Sequence, residues 1–265
     1  DRAFTGSIPQ VYQQHLVPMI FEPYAADLAS RVLLRKPSRV LEIAAGTGAV
    51  TRHLARMLPE GATIVATDLN QPMLDLAAAV GTTRAVEWRQ VDAMQLPFSN
   101  ETFDAVVCQF GVMFFPDKPR AFAEARRVLR HGGSFFFNVW DRLDENEFAE
   151  TVSRSLAAVF PEDPPQFVER VPYGYHDLAV ISGELLRGGF TQPPEFATLS
   201  ARSRALSASI PAVAFCQGTP LRNEIEARGT SLDQATAAAT AAIASRFGAG
   251  AVDGKLSAHI LVVER

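Results

Sequence analysis

The sequence predicts an α/β fold built on a doubly wound parallel sheet, and three observations carry that prediction. Between residues 39 and 140, apolar strand-like runs alternate with helical patterns at regular intervals. Such alternation marks a parallel sheet covered by helices on both faces, and right-handed crossovers make it doubly wound. A glycine turn within VLEIAAGTGAVTRHL, residues 40–54, joins the first strand to the first crossover helix. Acidic residues (Glu42, Asp68 and Asp92) mark the ends of three successive predicted strands.

Each element has its own signal. Residues 10–33 read as helical turns interrupted by Pro18 and Pro23, because proline lacks the amide hydrogen a helix interior uses. SRVLEIA is a short apolar strand. AVTRHLARML then repeats apolar residues at helical spacing through Val50, Leu54, Met57 and Leu58. ATIVATDL is the second strand, and QPMLDLAAAV a helix with Pro72 in its first turn. AVEWRQVDA and FDAVVCQFG are the third and fourth strands. PRAFAEARRVLRHGG reads as a helix stopped by Gly132 and Gly133, and SFFFNVW as the fifth strand.

Beyond Trp140 the rhythm changes. ENEFAETVSRSLAAVF is helical, PEDPPQFVERVPYGYHD a proline-rich loop, and DLAVISGELLRGGF a helix with a Gly-Gly stop. EFATLSARSRAL alternates as a strand. Two helical stretches follow within residues 207–250, the second rich in alanine, before a closing strand at 255–265. No flexible linker isolates any part. One domain is therefore expected over 1–265: an N-terminal helical lid (1–37), a core (38–140), further helices and a sixth strand (141–206), a helical insertion (207–250) and the last strand.

Bulk properties exclude several classes. The chain has 265 residues, with 48% hydrophobic and 20% charged, which is ordinary globular composition. A net charge of −4 gives no general basic field for nucleic acid or anionic lipid. No run approaches the ~18 apolar residues of a membrane span, and DRAFTGSIPQ shows no apolar signal-peptide core. Cys108 and Cys216 read as reduced structural thiols of a cytoplasmic protein, since neither has a cationic neighbour in sequence to activate it.

In open α/β sheets ligands sit beyond the C-terminal strand ends, where strand order reverses. Gly46 and Gly48 let the backbone approach a ligand without a Cβ clash, and the following helix offers free N–H groups. The dinucleotide pattern G-x-G-x-x-G fails at its third glycine, where Thr51 stands. Glu42 would repel a pyrophosphate but suits a cationic ligand; equally, it could only brace the turn. Asp68 can accept ribose hydroxyls, as in nicotinamide and adenosyl cofactors alike. Any one of these acids could merely cap a helix; three at successive strand ends point to a ligand.

Together these residues resemble the class I S-adenosylmethionine-dependent methyltransferases, the broad group that includes ubiquinone and menaquinone biosynthesis enzymes. VLEIAAGTG is similar to their first motif, ATDLN to the second and VDAMQLPF to the third; FDAVVCQFGVMFFPD and RVLRHGGSFFFNVW complete the core. Ala44 stands where the commonest pattern has glycine. The resemblance implies a seven-stranded Rossmann-like sheet of order 3-2-1-4-5-7-6 with strand 7 antiparallel. It implies that Ala44, Gly46, Thr47 and Gly48 lie against the amino-acid end of S-adenosylmethionine, and that Glu42 supports that turn and the ammonium group. Asp68 would hold the ribose, Leu69 and Met73 pack by the adenine, Asp92 accept from the adenine amine, and the Ala93 N–H read a ring nitrogen. The Gln109 carbonyl would face the methionyl amine, and Tyr12 on the lid the carboxylate.

Methyl transfer from a sulfonium needs alignment and exclusion of water more than acid–base chemistry. Of the five histidines, His15 and His176 are the candidates for a base if one is used. No His/Asp/Glu spacing suggests a metal. A small-molecule acceptor is expected against Phe110, Met113, Phe114, Trp140, Tyr173, Tyr175 and Phe215, an aromatic set that is also compatible with plain core packing. Two alternatives remain open: a nicotinamide-dependent oxidoreductase, which Glu42 and Thr51 oppose, and a non-catalytic S-adenosylmethionine-binding protein.

Overall fold

A computed structural model describes residues 4–229 and 231–265. The first three residues of the expected lid lie outside the described residues. The sheet has seven strands: β1 Arg39–Glu42, β2 Thr63–Asp68, β3 Glu87–Gln90, β4 Phe103–Gln109, β5 Leu129–Trp140, β6 Glu195–Ala205 and β7 Val252–Glu264, in the order β3-β2-β1-β4-β5-β7-β6. Strands β1 to β5 pair in parallel. The Asp141 N–H bonds the Ser257 carbonyl, while the Arg265 N–H bonds that of Gly133. One strand number rises as the other falls, so β7 runs antiparallel to β5, as expected.

The chain divides into two compact units. One comprises Pro23–Val139, Tyr175–Thr198 and His259–Arg265 and is called the core unit below. Its helices are α2 Glu22–Leu34, which starts one residue earlier, α3 Ala49–Met57, α4 Gln71–Val80, α5 Lys118–Val128 and α8 Leu178–Arg187. Residues Phe135, Phe136 and Phe137 of β5 are all buried, as befits a central strand covered on both faces. The rings of Phe135 and Phe137 stack at 4.8 Å, and Phe122 of α5 meets Phe137 at 5.7 Å. Each such ring contributes roughly 1.5–3 kcal/mol by leaving water.

The other unit, Asp1–Glu22 with Trp140–Gly174 and Leu199–Ala258, is mainly helical. It holds α1 Ile8–Val11, a π-helix Tyr12–Phe21, α6 Glu147–Val159, α7 Phe167–Arg170, α9 Ser209–Gln217, α10 Leu221–Ala227 and α11 Leu232–Phe247. Buried Asn146 ties the start of α6 to β7: its amide accepts from the Ser257 N–H at 3.1 Å and donates to the Ser257 carbonyl at 3.2 Å. Arg246 of α11 pairs with Glu150 of α6 at 2.7 Å, and Phe247 packs edge-on against Phe148.

Several element boundaries differ from expectation for identifiable reasons. Pro18 does not interrupt its helix. It lies inside the π-helix, where the Glu22 N–H reaches back to Val17 across the wider turn; the carbonyl that a proline ring strikes in an α-helix is thereby displaced. Helix α5 ends at Val128 rather than at the Gly-Gly pair, because Leu129 turns extended and pairs with Phe103. Gly132, at φ +76°, and Gly133, with no room for a Cβ beside the Asp104 carbonyl, form an irregularity in the β4–β5 ladder. The proline-rich stretch contains α7. Strand β3 stops at Gln90, two residues short of Asp92, and β7 begins at Val252, before the expected 255.

Candidate active site

The C-terminal ends of β1, β2 and β3 are adjacent, and the glycine turn runs across them. Glu42 pairs in register with Ala66, and Asp68 with Gln90. The turn is tied to β2 twice: the Ala45 N–H bonds the Thr67 carbonyl, and the Gly46 N–H donates to Asp68 Oδ2, both at 2.9 Å. Asp68 Oδ1 accepts the Asn70 N–H at 2.8 Å and so also fixes the β2–α4 turn. Asp68 is therefore first a clamp between two loops. An ionised carboxylate has about four acceptor directions; the Asn70 side-chain amide, 3.3 Å from Oδ1, and the Leu69 N–H also bond Asp68, so a ligand's hydroxyls would replace the longer of these bonds.

Glu42 is buried at 1% exposure. Its Oε2 accepts the Thr51 hydroxyl at 2.6 Å, so the residue that breaks the dinucleotide pattern serves the carboxylate. Burial pushes the Glu42 pKa up to about 8; the Thr51 bond and the Arg52 charge pull it down, and Asp68 pushes it further up. Burial also raises Asp68, against the pull of its backbone hydrogen bonds. Two carboxyls in one desolvated corner favour a ligand that brings positive charge and N–H or O–H donors.

Backbone strain concentrates here. Ala44 has φ +53° and Phe110 φ +48°, a region costly for residues with a Cβ. Gly48, at φ +81°, has Trp88 3.0 Å from where a Cβ would stand. Beside Gly111, the Ala44 Cβ lies 2.5 Å and Cys108 Sγ 2.7 Å from the position of an added Cβ. The strained ends of β1 and β4 thus interlock. Asn138 of β5, fully buried, fixes the Phe110 N–H through Oδ1 at 2.8 Å. Reasoning from sequence missed Asn138, Thr51 and Gly111; the polar asparagine inside SFFFNVW was the available signal.

Among the described residues, three buried polar atoms near the turn have no hydrogen-bond partner: Thr47 Oγ1, Gln109 Oε1 and Asn138 Nδ2. They stand in the glycine turn and at the paired ends of β4 and β5. Leaving such groups unmatched costs about 1–3 kcal/mol each, which a polar ligand end would offset. Leu69 is 41% exposed beside Asp68 and Met73 is buried below it on α4. An apolar step next to a carboxylate fits a base joined to a ribose. Asp92 Oδ1 accepts the Met94 N–H at 2.9 Å, with Ala93 next to it. These residues fit S-adenosylmethionine.

The remaining candidates divide between the units. Phe110, Met113, Phe114, Tyr175 and His176 belong to the core unit, where Tyr24 meets the Phe110 ring edge-on at 5.4 Å. Tyr12, His15, Trp140, Tyr173 and Phe215 belong to the helical unit. There Tyr12 stacks on Phe21 at 5.0 Å, Phe21 meets Trp140 at 6.0 Å, and Trp140 stacks on Tyr173 at 5.7 Å, a continuous aromatic row. Phe215 lies buried in α9. Burial raises both thiols, Cys216 to about 12, so neither is a ready nucleophile. Among the described residues, no group of three or more His, Cys, Asp and Glu side chains could hold a metal. No described helix is long and apolar enough to cross a membrane.

The sheet order is the one that the sequence resemblance to class I S-adenosylmethionine-dependent methyltransferases implies. Residues 41–137 match the model of a family described as a methyltransferase domain. The demethylmenaquinone methyltransferase of Deinococcus radiodurans is 33% identical over 169 residues, 63% of each chain. That of Thermus thermophilus is 40% identical over 111 residues, 41% of this chain and 49% of that protein. The alignments thus span between about half and 63% of the length of these relatives. Among solved structures, the YcgJ protein of Bacillus subtilis has a TM-score of 0.56 at 18% identity, covering 91% of this chain and 98% of that one. The [4+2]-cyclase SpnF has 0.55 at 18%, covering 92% and 81%. These two share the fold.

Proposed function

We propose that this protein transfers a methyl group from S-adenosylmethionine to a small-molecule acceptor, in the cytoplasm. The observation that carries the reading is the corner where buried Glu42 and Asp68 hold the glycine turn, the Gly46 N–H on Asp68 and the Thr51 hydroxyl on Glu42. S-adenosylmethionine, when bound, supplies an electrophilic sulfonium methyl group. The chain's own residues then orient and enclose. Asp68 takes the ribose hydroxyls in place of its long bond to the Asn70 side-chain amide, and Leu69 and Met73 flank the adenine. Asp92, through the oxygen not used by Met94, accepts from the adenine amine, next to the Ala93 N–H. Thr47 and the Gln109 carbonyl meet the amino-acid end, with the Glu42 carboxyl beneath it; Ala44, Gly46 and Gly48 allow the close approach.

Acceptor contacts are assigned to Phe110, Met113, Phe114 and Tyr175 of the core unit. Their apolar character excludes water from the reacting groups. His15 and His176 are the candidates for a proton acceptor where the nucleophile carries a proton. The relatives' names favour a quinone-like aromatic acceptor. A second reading, cofactor binding without methyl transfer, is favoured by one specific observation: SpnF, with the same fold, is titled a cyclase. A methyl-transfer screen over quinone precursors, phenols, amines and carboxylates separates the two. A product heavier by one methyl group supports transfer; cofactor binding with no product across the panel favours the second reading.

A further inference from the structure

Lys118 opens α5, just after the loop that leaves β4 with Phe110, Met113 and Phe114. Its ammonium lies 4.6 Å from the centre of the Tyr175 ring and donates one hydrogen bond, to the Phe115 carbonyl at 3.0 Å. Two of its donors are thus uncommitted to the protein. The nearby carboxylate is engaged elsewhere: Glu184 of α8 accepts the Tyr175 hydroxyl and pairs with Arg187 at 3.6 Å. Among the described residues Lys118 forms no ion pair, although it is half-buried. Burial holds its pKa below the usual lysine range, and the Glu184 charge offsets this only in part. Lys118, Tyr175 and Glu184 all belong to the core unit, where α8 packs on α5, the helix that follows β4.

We propose that Lys118, seated on the face of Tyr175, anchors a carboxylate carried by the methyl acceptor. The inference rests on the methyltransferase reading but concerns the acceptor alone. A neutral flat acceptor gains nothing from a half-buried ammonium, whereas a carboxylate restores the charge compensation that burial removed. The π-face below holds the cation without neutralising it. A single compact ammonium, rather than a guanidinium fork, suits a small monoanion.

Benzoate and benzamide share a ring and differ in charge, so they isolate the anchor. Both are titrated into the full chain, with and without S-adenosylhomocysteine, and followed by NMR. Benzoate is expected to bind at least about tenfold more tightly than benzamide. Lys118→Met should abolish that preference, and Lys118→Arg retain part of it, with melting temperature and S-adenosylhomocysteine affinity unchanged in both. Equal binding of the two probes to the native chain, no binding of benzoate, or a preference that survives Lys118→Met overturns the proposal. Failure of S-adenosylhomocysteine to bind overturns the methyltransferase reading instead, and the titration without it still decides the anchor.

Discussion

At the scale of single residues, Asp68 has two roles that one substitution separates. Asp68→Ala removes the acceptor of the Gly46 and Asn70 N–H groups and the acceptor assigned to the ribose. It should weaken S-adenosylhomocysteine binding by roughly 1–3 kcal/mol and lower the melting temperature as well. Unchanged affinity with a lowered melting temperature would leave Asp68 as a clamp only. Glu42 makes a pH prediction. Its folded pKa of about 8 lies above the ordinary 4.5, so the folded chain keeps a proton that the unfolded chain has lost between those values. Stability therefore falls as pH rises from about 4.5 to about 8. Asp68, raised by burial, acts in the same direction. Glu42→Gln should flatten that part of the pH–stability curve in urea melts; an unaltered slope contradicts the assignment. Glu42 and Asp68 were legible in the sequence because each follows an apolar run; Asp92 follows the more polar EWRQV. Thr51 was legible only as the residue that breaks a pattern, since its bond to Glu42 depends on the helix folding back over the strand.

At the scale of elements, the glycine turn and the end of β4 are one interlocked piece. Gly111→Ala would place a methyl group 2.5 Å from the Ala44 Cβ and 2.7 Å from Cys108 Sγ. Overpacking of this kind costs about 1–3 kcal/mol, measurable by urea denaturation. Adding Ala44→Gly removes one of the two clashes and the left-handed strain at φ +53°, so the double variant should recover part of the loss. Strict additivity of the two changes contradicts the interlock. At the start of β1, Asp104 accepts the Ser38 and Arg39 N–H groups, both at 2.8 Å, and pairs with Arg130 at 2.7 Å. These bonds hold its carboxyl below the ordinary range. Its stabilisation is thus present at neutral pH and lost as acid passes through that lowered value; Asp104→Asn should remove this acid-side dependence from the melting curve.

Strands and crossover helices were readable where apolar spacing is strict, as in Val50, Leu54 and Leu58 or the run SFFFNVW. Boundaries set by partners were not. Leu129 has helical neighbours in sequence and becomes extended because Phe103 lies beside it, and Pro18 is tolerated because the helix widens. Neither cause is local to the residues concerned.

At the scale of the whole molecule, the sequence resemblance extends to the strand order, including the reversed last strand between β5 and β6. That order makes Glu42 and Asp68 neighbours at the C-terminal ends of adjacent strands. The chain's division into a core unit and a helical unit was not legible. The helical unit is assembled from three separate stretches, and hydrophobic spacing says nothing about which stretches pack together. The net charge of −4 suits a cationic cofactor better than a polyanion.

The most direct measurement is a competitive calorimetric titration of the full chain with S-adenosylhomocysteine and NAD. Saturable binding of S-adenosylhomocysteine, weakened by Asp68→Ala and undisturbed by excess NAD, is the predicted result. Binding of NAD in preference, or of neither ligand, would contradict the claim that this acid-lined turn is an adenosyl sulfonium site.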